Sequence, residues 1–228
     1  MKTIGLLGGT SWESTTLYYQ KINTLIKERL GAQHSAKIYL YSFDYYEIAH
    51  ALEQDDWKSV ERDLLTQGKI LERAGAELCA LCANTTHLAA QPLEEALSIP
   101  LVHIAKATLD VATSQAMKRV LLLGTRYTMQ SRLYQEVFEP AGIEVLTPSR
   151  RDQGLIHRII YQELIQGQFL DSSKQALLDI IAKQPVDGVI LGCTELPLIL
   201  HSSDVFTPLL DTLELHVKAI VDAALNDQ

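Results

Sequence analysis

The chain has 228 residues, 47% of them hydrophobic and 21% charged, with a formal net charge of -8. The negative charge argues against nucleic acid or an anionic membrane surface as a partner, and no apolar run is long enough to span a bilayer. Ile4 to Leu7 is too short for a signal-peptide core, and Cys79, Cys82 and Cys193 are too few for a disulfide scaffold, so a cytoplasmic protein is expected.

In chain order, short apolar runs alternate with longer amphipathic stretches. Ile4–Leu7, Lys37–Tyr41, Leu78–Cys82 and Leu101–Ile104 read as strands in the first half. Val120–Leu123, Ile143–Leu146, Val189–Leu191 and Pro208–Leu210 read as strands in the second. Helical periodicity is expected over Thr15–Arg29, Trp57–Arg73, Gln153–Ile165 and Leu213–Leu225. Such alternation predicts an α/β protein with parallel sheets covered on both faces.

The chain also repeats itself. Lys2-Thr-Ile-Gly-Leu-Leu-Gly8 returns as Lys118-Arg-Val-Leu-Leu-Leu-Gly124, an offset of 116, and Tyr19 is matched to Tyr134 at 115. Glu77-Leu-Cys-Ala-Leu-Cys-Ala83 returns as Asp187-Gly-Val-Ile-Leu-Gly-Cys193, and Pro100-Leu-Val-His103 as Pro208-Leu-Leu-Asp211. Two similar halves are therefore expected, residues 1–98 with 209–228 and residues 99–208, with a small-molecule site in the cleft between them. One side of that site offers a thiol, Cys193, and the other only the methyl of Ala83.

Small ligands bind beyond the carboxyl ends of strands in open parallel sheets. That rule selects the loops Gly8–Glu13, Ala83–His87, Gly124–Met129 and Cys193–Glu195, rich in hydroxyls (Thr10, Ser11, Thr85, Thr86, Thr125, Thr128, Thr194) suited to a carboxylate. Gly5, Gly8 and Gly9 have the wrong spacing for a dinucleotide fingerprint, and no P-loop lysine follows; a tight strand-to-helix turn accounts for them. Cys193 follows a strand and a glycine, and Thr194-Glu195-Leu-Pro reads as a helix start, whose dipole would favour thiolate. His87 and His103 are candidates to orient groups at the site, and Arg126 to meet a carboxylate. Cys79-x-x-Cys82 lies in a buried strand rather than at a helix start, which disfavours redox or metal roles.

At Gly8-Gly-Thr-Ser-Trp-Glu13, Asn84-Thr85 with His87, Gly124-Thr-Arg-Tyr-Thr-Met129, Ile159-Ile-Tyr-Gln-Glu-Leu164 and Gly192-Cys-Thr-Glu195, the chain resembles the aspartate/glutamate racemase family over its whole length. The resemblance implies two pseudo-symmetric α/β halves, each a four-stranded parallel sheet flanked by helices, and a homodimer. It implies a cofactor-independent, metal-free racemase or epimerase of a small amino acid, in which two cysteines exchange protons with the two faces of the α-carbon. One cysteine position is Cys193; the other is occupied by Ala83. The substrate's carboxylate and amino groups would be held by Asn84, Thr85, Thr86, Thr128 and Thr194, with Thr10, Thr125 and Glu195 as further substrate-binding candidates. Leu52 and Gln166 are read as standing where family members place groups that receive a distal carboxylate. Alternatives are a single-thiol isomerase or decarboxylase of the same superfamily, or a catalytically impaired amino-acid-binding homologue.

Overall fold

The computed structural model describes residues 1–226. The chain divides into two compact units, Met1–Ile104 with the segment from His216 onward, and Ala105–Leu215. The divisions fall a few residues beyond the expected 98 and 208. Pairing explains this: the last strand of each sheet stays with its own unit, and the chain leaves only in the helix that follows.

In the first unit β1 (Ile4–Gly8), β2 (Ile38–Ser42), β3 (Leu78–Leu81) and β4 (Leu101–Val102) form a parallel sheet of order β2-β1-β3-β4. In the second, β5 (Arg119–Gly124), β6 (Glu144–Leu146), β7 (Gly188–Gly192) and β8 (Leu209–Asp211) form one of order β6-β5-β7-β8. The two orders are the same permutation, as the repeat predicts. The central strands are fully buried and near-continuously apolar, as parallel strands between helices must be. The expectation of sheets covered on both faces fails at β2, four of whose five residues are exposed.

Helix formation follows local chemistry. Ser11 caps the helix Trp12–Leu30 by accepting the Ser14 N–H, so this helix starts three residues before the periodic run. The expected Trp57–Arg73 helix is present, capped by Asp56. The Gln153–Ile165 prediction becomes Arg150–Gln162, capped by Ser149, followed by a single 3-10 turn at Leu164–Gln166. Ile104, read from sequence as strand, begins the helix Ile104–Ser114.

The repeat has a cleaner register in space than in sequence. Tyr18, not Tyr19, is the structural counterpart of Tyr134, and the offset stays at 116. Both Tyr18 and Tyr134 are fully buried, whereas Tyr19 is exposed. The Tyr18 hydroxyl bonds His216 Nδ1 at 2.8 Å, and the Tyr134 hydroxyl bonds Thr108 and Thr212. Thr108 and His216 are themselves matched by the offset of 108 that relates Pro100 to Pro208.

Candidate active site

In the first unit, β1 ends in Gly8-Gly9. A Cβ at Gly8 would collide with the Thr15 side chain, and Gly9 has φ +90° with its Cα hydrogen directed at the Phe43 backbone. The glycines therefore serve close packing of strand, helix and loop. Thr15 Oγ1 accepts the Gly9 N–H at 2.8 Å, and Ser14 Oγ donates to the Cys82 carbonyl at 3.0 Å, tying the β1 loop to the β3 loop.

The β3 loop runs from the partly buried Ala83 through buried Asn84 into a 3-10 turn, Thr85–Ala89. The Ala83 carbonyl accepts Thr86 Oγ1 at 3.1 Å and His87 Nδ1 at 2.8 Å. His87 Nε2 accepts the Ile104 N–H at 3.2 Å, which fixes the neutral Nδ1–H tautomer. His87 lies edge-on to His103 and His216, with ring centres at 4.8 and 5.5 Å. Burial, then the neighbouring His103 and His216, hold His87 well below the ordinary histidine range. Burial likewise drops His216 to about 4, while its Nε2 donates to the Val102 carbonyl at 2.7 Å. His87 thus orients the residue-83 loop from below. His216 and Tyr18 escaped the sequence reading; the 108-residue echo, which matches His216 to Thr108, and the 116-residue echo, which matches Tyr18 to Tyr134, were the signals that could have found them.

Cys82 does not substitute for a thiol at position 83. It is buried in the first unit, and burial and Cys79 push its thiol far up. Burial also pushes Cys79 up to about 12, so neither thiol is poised to ionise.

In the second unit Gly124 and Gly192 are register partners at the ends of β5 and β7, and a Cβ on either would lie 2.9 Å from backbone oxygen of the adjacent strand. Only glycine lets the two strand ends approach so closely. Thr125 caps the short helix Arg126–Gln130, accepting the Thr128 N–H, and the two threonine hydroxyls lie 3.2 Å apart. Thr128 is fully buried in this pairing. Arg126 is exposed, and its backbone N–H donates to His157 Nδ1 at 3.2 Å. Of the two positions read as facing a distal carboxylate, Leu52 packs against the first unit's hydrophobic core and Gln166 is exposed.

Cys193 is half-buried at the end of β7. Its Sγ–H donates to Glu195 Oε2 at 2.9 Å, and Thr194 Oγ1 donates to the same oxygen at 2.9 Å. The expected helix start is only a three-residue 3-10 turn, Leu196–Leu198, with no side-chain cap. The expectation that a helix dipole favours thiolate is therefore corrected. Burial first, then the Glu195 charge and its acceptance of the thiol proton, raise Cys193 well above the ordinary cysteine range, outweighing the backbone N–H groups of Thr194 and Glu195. Cys193 rests as a protonated thiol beside a carboxylate, an arrangement suited to passing a proton rather than to lasting nucleophilic charge.

Thr10, Ala83, Asn84, Thr85 and Thr86 thus cluster at the carboxyl ends of the first sheet, and Thr125, Thr128, Cys193, Thr194 and Glu195 at those of the second. Among the described residues, no group of three or more His, Cys, Asp or Glu side chains is placed to hold a metal ion.

The family model for Asp/Glu/Hydantoin racemase matches residues 7–220. The chain is 27% identical to the broad specificity amino-acid racemase RacX of Bacillus subtilis (strain 168), covering 97% of this chain and 98% of that one. A crystal structure from Yersinia pestis superposes with TM-score 0.94 at 43% identity, covering 99% of this chain and 100% of the other. An aspartate racemase homologue from Pyrococcus horikoshii OT3 gives 0.88 at 34% identity over 99% and 100%. Strand-end loops, doubled sheet and sequence likeness converge on one conclusion: this chain belongs to the Asp/Glu/Hydantoin racemase family.

Proposed function

We propose that the protein is a cofactor-independent amino-acid racemase, acting as a homodimer, that moves the substrate's α-proton through Cys193. Aspartate and glutamate are the substrates to try first. The observation that carries this reading is the Cys193 thiol donating to Glu195 at 2.9 Å. As a substrate binds, Glu195 takes the thiol proton, and the resulting thiolate removes the α-proton. The reverse transfer returns a proton to the carbon from the same side. The carbanion-like charge needs aimed donors. Asn84, Thr85, Thr86 and Thr10, with Thr125, Thr128 and Thr194, are proposed to supply them and to hold the carboxylate and amino groups. The family resemblance assigns the two proton transfers of this reading to the positions of Cys193 and Ala83.

Ala83 has no proton to give. Exchange of the α-proton is therefore expected to outrun inversion of the centre. The same methyl favours a second reading, a homologue that binds amino acids without turning them over. Incubation with each enantiomer in D2O, followed by NMR, separates the two. Deuterium at the α-carbon supports proton transfer; measurable binding with no exchange supports the second reading.

A further inference from the structure

The two sheets have the same strand order but opposite treatment of their first edge. In the second unit the edge strand β6 is three residues long. It opens on Glu144, which pairs with Arg119 at 2.9 Å, buries Val145, and is followed two residues later by Pro148. Short length, charge and proline are the usual guards of a sheet edge. β2 in the first unit has five residues, Ile38-Tyr-Leu-Tyr-Ser42, with no charge, proline or bulge.

Both faces of β2 are apolar and open. In a parallel pair, register partners point the same way. Gly5 is directed at Leu71 and Ala76, so its partner Tyr39, and Tyr41 two residues on, lie on the face of the helix Trp57–Arg73. Gly8 is directed at Thr15, so Ser42 and Leu40 lie on the face of the helix Trp12–Leu30. On that helix Asn23 accepts the Ala36 N–H just before β2, and Tyr19 and Trp12 continue the same stripe toward the strand's carboxyl end. Tyr45 and Tyr46 open the next helix, Tyr45–Glu53. Among the described residues these seven side chains are half of the exposed large apolar ones, with exposures from 36% for Tyr41 to 72% for Tyr46. At roughly 100 Å² each they present about 700 Å², close to the ~800 Å² per partner of a stable interface.

We infer that β2 is the dimer interface, pairing antiparallel with β2 of a second copy about a two-fold axis through Leu40. Only an equal-parity register keeps the two faces of the joined sheet matched. A register centred on Leu40, the middle of the strand, sets Leu40 against Leu40 and Tyr39 of each copy against Tyr41 of the other. Aromatic cross-strand pairs of this kind stabilise sheets. The same register sets Ile38 of each copy against Ser42 of the other, so the whole strand pairs without setting like charges opposite one another. An isologous contact closes on itself and leaves no bare edge.

This inference rests on the homodimer reading and not on the proton-transfer chemistry. Sedimentation of the full chain, of Leu40→Lys and of Leu40→Cys tests it. The wild type is expected to be a dimer, Leu40→Lys a monomer with an unchanged circular dichroism spectrum, and Leu40→Cys a dimer that oxidises to a covalent, reducible one. A monomeric wild type overturns both the homodimer and the interface. A dimeric Leu40→Cys that yields no covalent dimer overturns the interface alone, and this arm stands even if Leu40→Lys does not fold.

Discussion

The loops after β3 and β7 occupy equivalent places in the two repeats and are built for different work. After β3 the carbonyl of Ala83 is held twice, by Thr86 and by a neutral, buried His87 that also receives the Ile104 N–H. After β7 the held group is a side chain: the Cys193 thiol and the Thr194 hydroxyl converge on one oxygen of Glu195. The first loop is fixed and chemically inert at its tip; the second carries a proton and its acceptor. A common topology sets where a residue stands and leaves what it does to the side chain.

Breaking the active loop gives the largest effect. Cys193→Ser is expected to lower α-proton exchange at least ~10³-fold, since a serine hydroxyl is a far weaker acid than a thiol. Undiminished exchange would remove the thiol from the reaction. Equipping the inert loop comes next. Ala83→Cys is expected to raise the rate of inversion about 10²-fold or more relative to exchange, read by polarimetry or chiral chromatography. An unchanged ratio would mean position 83 does not serve the α-carbon.

Glu195→Gln gives a smaller and more diagnostic change. Burial, the first cause of the raised Cys193, stays; removing the Glu195 charge, the next cause, lets the thiol fall part of the way back toward the ordinary range. The maximal exchange rate drops about 10- to 100-fold for want of the acceptor, while the alkaline rise of the pH–rate profile moves to lower pH. A profile displaced upward would contradict the assigned pairing.

The inert loop makes the smallest prediction for rate and a clear one for stability. His87 and His216 are held below their unfolded value near 6.5, so their neutral forms favour the native state. Their contribution is complete above about pH 6.5 and is lost as the unfolded chain takes up protons that the native protein refuses. Unfolding free energy should fall by roughly 1.4 kcal/mol per pH unit for each histidine as pH drops from 6.5 toward 4. Urea melts of His87→Asn and His216→Asn should show a shallower slope in that window.

Much of this was legible in the sequence. Short apolar runs located the eight strands, and the 116-residue echo of Lys2–Gly8 announced two sheets of the same order. Cys193 and Ala83 stood out because the repeat aligns them. What failed was local and physical. Thr194-Glu195-Leu-Pro has the letters of a helix start, but the chain makes one 3-10 turn, and burial, then the nearby carboxylate, set the state of the thiol. Tyr19 was matched to Tyr134 by letters, while burial selects Tyr18. The exposed faces of β2 were invisible because Ile-Tyr-Leu-Tyr is also what a buried strand looks like. His216 lies more than a hundred residues from Val102 and Tyr18; the echoes could have singled out His216 and Tyr18, but their contacts come only with the fold.

The comparison between the loops reduces to one ratio: α-deuterium incorporation against inversion, measured on the same sample of L- or D-aspartate in D2O. Proton transfer confined to Cys193 and Glu195 predicts that label enters well before configuration is lost. Inversion as fast as incorporation would show a second proton donor at work on the side of Ala83, and would contradict the one-sided chemistry.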